Sequence, residues 1–448
     1  MTVSFELEYK SKLVSAEEAV KVVQSDTIVD WSFFNGKPII LDQALARRHS
    51  ELRNVSIYTA VSIPPIPEIC KYPDSFVYHD WQWSKVTRMI KNMGEVYYSP
   101  VLYHMAPEYY QKNYAPHRSV AMIRVAPMDA SGYFNFGPQN SETDAKCEMA
   151  DIVIVEVMKN MPVCLGGEQE SIHISRVDYI VEAPDDHTLV NLPGAEPTET
   201  DIKIADHIME YIHDGSCIQL GIGGMPNAVG KAIAQSDLKD LGGHTEMFVD
   251  AYVDMIESGR MTGAVKEIDR WRVAYTFALG STRMYDFMHN NPACTSYPVD
   301  YTNDPRVISQ LDNFISINNA VQIDLYTQVN AESDGFKQIS GNGGMWDFVL
   351  GSQWSKGGKS FICLMSTYTD KDGQLHSRIV PTFSPGSIAT ISRQMVDYIV
   401  TEYGAAQMKG KPTWMRAEMI INLAHPNFRD DLIKQAEKMD IWRRTNKI

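Results

Sequence analysis

Apolar residues along this chain follow two alternating rhythms. Runs such as Ala121-Met122-Ile123-Arg124-Val125 and Asp151-Ile152-Val153-Ile154-Val155 are nearly continuous, the pattern of strands buried on both faces of a parallel sheet. Ile28-Val29 predicts a shorter strand. Helical periods lie between such runs. Ser15-Ala16-Glu17-Glu18 reads as a capping box, followed by Val20, Val22 and Val23. Ile204, Ile208 and Ile212 share one helical face, and Gly215 follows as a stop. Helices alternating with buried strands predict an α/β fold with mainly parallel sheets.

Pro193, Gly194 and Pro197 interrupt this order. They suit neither a helix interior nor a central strand, so a linker is expected over 191–197. It divides the chain into an N-terminal α/β domain, 1–192, and a C-terminal α/β domain, 198–448. The two sides echo each other. At an offset of 188 residues Asp26 meets Asp214, Gly36 meets Gly224, Pro38 meets Pro226, Ala44 meets Ala232 and Ala46 meets Ala234. Two generic α/β units would give some such agreement. The shared element order favours two related domains from an internal duplication, with an active site between them. At the same offset Glu246 meets Tyr58, so the halves differ there.

Composition narrows the function. The 448 residues carry 41 Lys plus Arg against 56 Asp plus Glu, a net charge of −15. That argues against nucleic-acid or anionic-membrane partners but leaves room for a local cationic pocket. No apolar run approaches a bilayer span, and the first residues do not read as an export leader. Six cysteines in no C-x-x-C pair, and histidines in no ligand spacing, indicate a reduced cytoplasmic compartment and no metal centre.

Three segments carry candidate chemistry. In the first, a strand enters Gly221, Ile222, Gly223, Gly224 and Met225, with Pro226 where a helix would start. This is either a tight turn or a cradle for an anionic group at a helix N-terminus. Pro226 stands where the dinucleotide fingerprint needs its third glycine, so that motif is absent. The second is His244-Thr245-Glu246, where the two ionisable side chains share a strand face, as a structural pair or as chemistry. The third runs from Ser340 through Gly341, Asn342, Gly343 and Gly344, with Lys356 and Lys359 downstream. It is either a flexible loop or an oxyanion hole followed by phosphate-binding lysines. Asn303 stands in a turn, where capping is the default role.

Together these segments resemble the acetyl-CoA hydrolase/transferase branch of the class I coenzyme A transferases, over essentially the whole chain. The resemblance rests on residues 221–229, on His244-Thr245-Glu246-Met247, on 312–320, on the loop around Gly344 and on 355–359. It implies Glu246 as catalytic nucleophile, Gly344 as oxyanion-hole and CoA-contacting glycine, and Asn303 as an active-site support. It implies CoA contacts at Gly221, Ile222, Gly223, Gly224, Met225, Ser340 and Lys356. The implied reaction moves CoA from a short-chain acyl-CoA such as butyryl-CoA to acetate. 4-Hydroxybutyrate, propionate, succinate or water are alternative acceptors. CoA then serves as substrate and covalent intermediate, with no tightly bound cofactor, in a homodimer or homotetramer. The loop Phe33-Phe34-Asn35-Gly36-Lys37-Pro38 is bulkier than the resemblance implies, which leaves the acyl chain length open.

Overall fold

The computed structural model describes residues 5–446. The chain folds into two compact units. Residues up to Pro193, together with Glu246–Phe248 and Ala274–Thr302, form the first. Gly194–Thr245, Val249–Val273 and Asn303–Ile448 form the second. The chain passes between units several times, whereas the sequence suggests one crossing at the linker. In particular, Glu246 groups with the first unit and not with the C-terminal part of the chain. Residues 191–198 themselves adopt neither helix nor strand.

The first unit is built on a seven-stranded parallel sheet. Its strands run in the order Val96–Tyr98, Phe76–Asp80, Val55–Thr59, Ile28–Trp31, Arg118–Val125, Ala150–Val157 and Tyr179–Glu182. Arg118–Val125 is buried along almost its whole length, as its continuous apolar run requires. One core gathers Trp31, Ile57 and Tyr78 with helix Ile40–Arg47; a second gathers Ile123, Val155, Phe134 and Phe136.

The second unit repeats this arrangement. Strands Gly242–His244, Cys217–Leu220, Phe314–Asn319, Lys359–Cys363 and Tyr398–Thr401 lie side by side in that order, all parallel, and Gly404–Gln407 adds an antiparallel neighbour. In each unit the first strand sits centrally, with the second strand on one side; on the other lie Arg118–Val125 and Ala150–Val157 in the first unit, and Phe314–Asn319 and Lys359–Cys363 in the second. The ladders fix the equivalence. Trp31 pairs with Met122 and Met122 with Ile154, just as Leu220 pairs with Ile317 and Ile317 with Phe361. Two residues further on, Arg124 beside Glu156 corresponds to Asn319 beside Cys363. Val29 pairs with Ile57, and Ile218 with Gly243, so Glu246 corresponds to Ala60 and not to Tyr58. The turns of the two halves differ in length, which a single sequence offset does not accommodate.

The helix read from Ile204, Ile208 and Ile212 spans Glu199–Met209. It opens on a capping box between Thr198 and Asp201. Tyr211 N donates to Ile208 O at 2.9 Å and Ile212 N to Met209 O at 3.3 Å, so the chain tightens before Gly215. Ile212 is buried although it lies past the helix end. No helix of the described residues is long and apolar enough to cross a membrane.

Candidate active site

In the first unit the segment that carries Glu246 is fixed through its backbone. Glu246 O accepts from Thr276 N at 3.1 Å and Phe277 N at 3.2 Å, and Met247–Phe248 pairs in parallel with Phe277–Ala278. Phe277 is itself held: Phe34 stacks on its ring at 4.7 Å, and Ala278 N donates to Pro138 O at 2.7 Å. Thr245 and Met247 are buried and Glu246 is half-buried, a carboxylate on an otherwise closed segment. Phe34 holds this contact with a φ of +49°, a strained value for a bulky residue.

In the second unit the glycine loop leaves the carboxyl end of Cys217–Leu220 and turns into helix Gly224–Gln235. Gly223 has φ +118°, a conformation only glycine adopts without strain. At Gly224 a Cβ would lie 2.5 Å from Asp201 Oδ2, so a side chain has no room there. Asn319 Nδ2 donates to Ile222 O at 3.2 Å, and Ile222 itself is exposed. Gly224 and Met225 line a cavity of about 200 Å³ together with Asp201, Asn319, Cys363 and Arg378.

The second loop also lies in this unit. Ser340 N donates to Glu332 O at 3.0 Å, and Gly344 is buried directly ahead of helix Met345–Trp354. Gly344 N–H meets no acceptor among the described residues, as an oxyanion donor requires. Asn303 is fully buried, and its Nδ2 lies 3.5 Å from Asp347 Oδ2, in the first turn after Gly344. The adjoining Asp304, not Asn303, caps the helix Pro305–Ile308. The structure thus links Asn303 to the Gly344 turn.

Lys356 is not brought to the glycine loop. Helix Met345–Trp354 carries the chain back to the amino edge of the sheet, where Asn313 N donates to Lys356 O at 2.8 Å. The glycine loop leaves the carboxyl edge, a strand length of roughly 13–20 Å away. The Lys356 side chain is 87% exposed, and its ammonium pairs with Asp312 at 3.0 Å. The cation that does line the cavity is Arg378, which none of the sequence motifs includes. Its one sequence signal is weak: no acidic residue lies within four positions of it.

Cysteine offers no rival nucleophile. All six thiols are free and buried, and burial pushes Cys164, Cys217 and Cys294 up to about 12.

Residues 2–191 match the acetyl-CoA hydrolase/transferase N-terminal domain, and residues 280–436 match the corresponding C-terminal domain. The chain belongs to the acetyl-CoA hydrolase/transferase family. Relatives of this family align along its full length. A butyryl-CoA:acetate CoA-transferase of Anaerostipes caccae is 53% identical over 99% of this chain and 100% of its own. A 4-hydroxybutyrate coenzyme A transferase of Clostridium kluyveri is 38% identical over 96% and 98%. The crystal structure of RipA from Yersinia pestis superposes with a TM-score of 0.89 at 35% identity, covering 98% of this chain and 99% of that one.

Proposed function

We propose that this family member is a CoA-transferase that moves CoA between butyryl-CoA and acetate by way of a glutamyl-CoA thioester on Glu246. The observation that carries this reading is Glu246 itself: a half-buried carboxylate on a backbone pinned by Thr276 and Phe277. A fixed carboxylate is a nucleophile that needs no partner base.

The chemistry is a relay of acyl exchanges. The Glu246 carboxylate attacks the butyryl-CoA carbonyl, the C–S bond breaks, and a butyryl–glutamyl anhydride forms with release of CoA thiolate. The thiolate attacks the glutamyl carbonyl, butyrate leaves, and the enzyme holds CoA as a thioester. Acetate then attacks that thioester and the sequence runs in reverse, ending in acetyl-CoA and free Glu246. A thiol with a pKa near 8.5 leaves as an anion, so no general acid is needed. Each tetrahedral stage places negative charge on oxygen, which the free N–H of Gly344 suits; one such donor contributes about 3–4 kcal/mol. Asn303, through Asp347, would hold the turn that carries Gly344. The glycine loop and the Ser340 segment would receive CoA.

The test is to mix purified protein with butyryl-CoA and acetate and follow acetyl-CoA, then to omit acetate and search by mass spectrometry for CoA on the peptide carrying Glu246. Transfer with a Glu246 adduct, both lost in Glu246→Gln, is expected. Acetate-independent CoA release without acetyl-CoA would make the protein a hydrolase. Another preferred acceptor acid would revise the substrate. Transfer by Glu246→Gln at the wild-type rate would refute the mechanism.

A further inference from the structure

The two halves treat one structural position in opposite ways. In the first unit, Glu156 stands at the carboxyl end of its strand and is fully buried. Its carboxylate accepts from the N–H groups of Ile39, Ile40 and Leu41 at 3.0–3.2 Å, which open helix Ile40–Arg47. Arg124 Nε supplies the counter-charge at 3.0 Å. That helix start therefore holds an anion that belongs to the chain itself.

In the second unit the equivalent ladder positions are Cys363 and Asn319. Neither carries charge, and both line the cavity at the first turn of helix Gly224–Gln235. The cation of this cavity comes from elsewhere. Arg378 is half-buried, donates to Val321 O at 3.2 Å and lies over the Tyr368 ring at 5.0 Å. No carboxylate pairs with it among the described residues, and burial lowers its proton affinity. The acid in the cavity, Asp201, is engaged by Thr198 N at 2.9 Å and Thr198 Oγ1 at 2.7 Å in its own capping box. A half-buried guanidinium that no carboxylate pairs with among the described residues, beside a helix start, is the inverse of the Glu156 arrangement: Asp201 is taken up by its own capping box, the cation and the N–H groups of Gly224 and Met225 are in place, and the anion is to come from outside.

We infer that this cavity binds a phosphate group of the coenzyme, with Arg378 as its counter-cation, where the first half keeps Glu156. The inference rests on the proposed CoA chemistry and adds to it a binding residue, Arg378, in place of the remote Lys356. It also states why only one half of the duplicated fold takes the coenzyme at this position: Glu156 fills the site in the other.

Two variants test it from opposite directions. Arg378→Gln removes the cation; Cys363→Glu installs the carboxylate of the first half. Calorimetry gives Kd for CoA and for inorganic pyrophosphate, and steady-state assays compare butyryl-CoA with butyryl-pantetheine, which lacks the nucleotide. Loss of one charge-assisted contact predicts a 10- to 100-fold rise in Kd for CoA in Arg378→Gln. Turnover of butyryl-pantetheine should stay at the wild-type level. Pyrophosphate should compete with CoA on the wild type and not on Arg378→Gln. Folded Cys363→Glu should fail to bind CoA, and Arg378→Lys should recover part of the affinity. Unchanged CoA affinity in Arg378→Gln overturns the inference, as does an equal loss on both acyl substrates, which would mark a structural role. A wild type that binds pyrophosphate through Arg378 but neither binds nor transfers CoA would instead overturn the functional reading.

Discussion

Replacing Glu156 by Gln isolates the charge at the internal anion site of the first unit. One oxygen, Oε2, accepts from Ile39, Ile40 and Leu41 N–H groups, and the other, Oε1, meets Arg124 Nε at 3.0 Å. Gln preserves the shape but has one acceptor and one donor end. With its oxygen toward the helix, its NH2 faces the Arg124 guanidinium; flipped, the NH2 faces three N–H donors. Either way a buried like-to-like contact arises and Arg124 loses its carboxylate, leaving only His187 Nδ1 at 2.8 Å. Breaking a buried pair in this manner costs about 3–5 kcal/mol. The stability of a domain totals about 5–15 kcal/mol. At roughly 2–4 °C per kcal/mol for a unit of this size, the first unit should melt about 6–20 °C lower. Differential scanning calorimetry of wild type and Glu156→Gln measures this. Adding Arg124→Met to Glu156→Gln should recover part of the loss, because it removes the unpaired cation. A melting temperature within about 2 °C of wild type for the single variant would show that the carboxylate charge is not what holds this helix start.

Further outcomes follow from the same geometry. Gly344→Pro deletes the backbone N–H assigned to the oxyanion, so kcat should fall by roughly 10²–10³, with CoA affinity measured alongside to separate chemistry from loop distortion. Lys356→Ala should leave the KM for butyryl-CoA within about twofold of wild type, since the ammonium pairs with Asp312 at the amino edge of the sheet; a tenfold rise would restore it to the coenzyme site. Burial raises the Asp42 carboxyl from its ordinary 3.8 to about 7, so the folded state binds more protons than the unfolded one across that window. Stability should therefore fall as pH rises through it, by up to about 4 kcal/mol from this group, and Asp42→Asn should flatten the profile in urea titrations between those pH values.

Strands Arg118–Val125 and Ala150–Val157 are readable in the sequence because burial on both faces favours a nearly continuous apolar run, whereas Cys217–Leu220 and Phe314–Asn319 bury Gln219 and Ser316 and show no such run. The same reasoning found the glycine turn at 221–225, where Gly223 alone takes a positive φ. It did not find the return of Glu246–Phe248 to the first unit. That return depends on a two-residue pairing with Phe277–Ala278, too short to leave a period in the sequence. The distance of Lys356 from the glycine loop of 221–225 is hidden from the sequence for a related reason. A lysine shortly after a glycine loop reads as its neighbour, but the intervening ten-residue helix Met345–Trp354 carries the chain about 15 Å back across the sheet. Arg378 was invisible because its meaning lies in what surrounds it, an uncharged Cys363 and Asn319, and strand register alone reveals those positions.

The duplicated fold also distributes strain unequally. After its first strand the second unit turns on glycine, whereas the first unit turns through Phe34, at φ +49°, and after its second strand through the β-branched Val61, at φ +43°. Such conformations each cost of order 1–3 kcal/mol and persist only where the surroundings over-determine them. Here the surroundings do so from both ends. Lys37 Nζ ties the two loops together by donating to Ile63 O at 3.0 Å and Pro65 O at 2.6 Å, and Glu156 anchors the helix that follows Phe34. The ring this holds in place is Phe34 on Phe277, whose N–H donates to the carbonyl of Glu246. The buried carboxylate that fills the first unit's anion site thus also secures the loop that bears, through Phe277, on the segment of Glu246. A half that gave up Glu156 to accept a ligand would lose that anchor. Under the proposed reading, binding falls to one half and support to the other because the helix start of the first already holds Glu156.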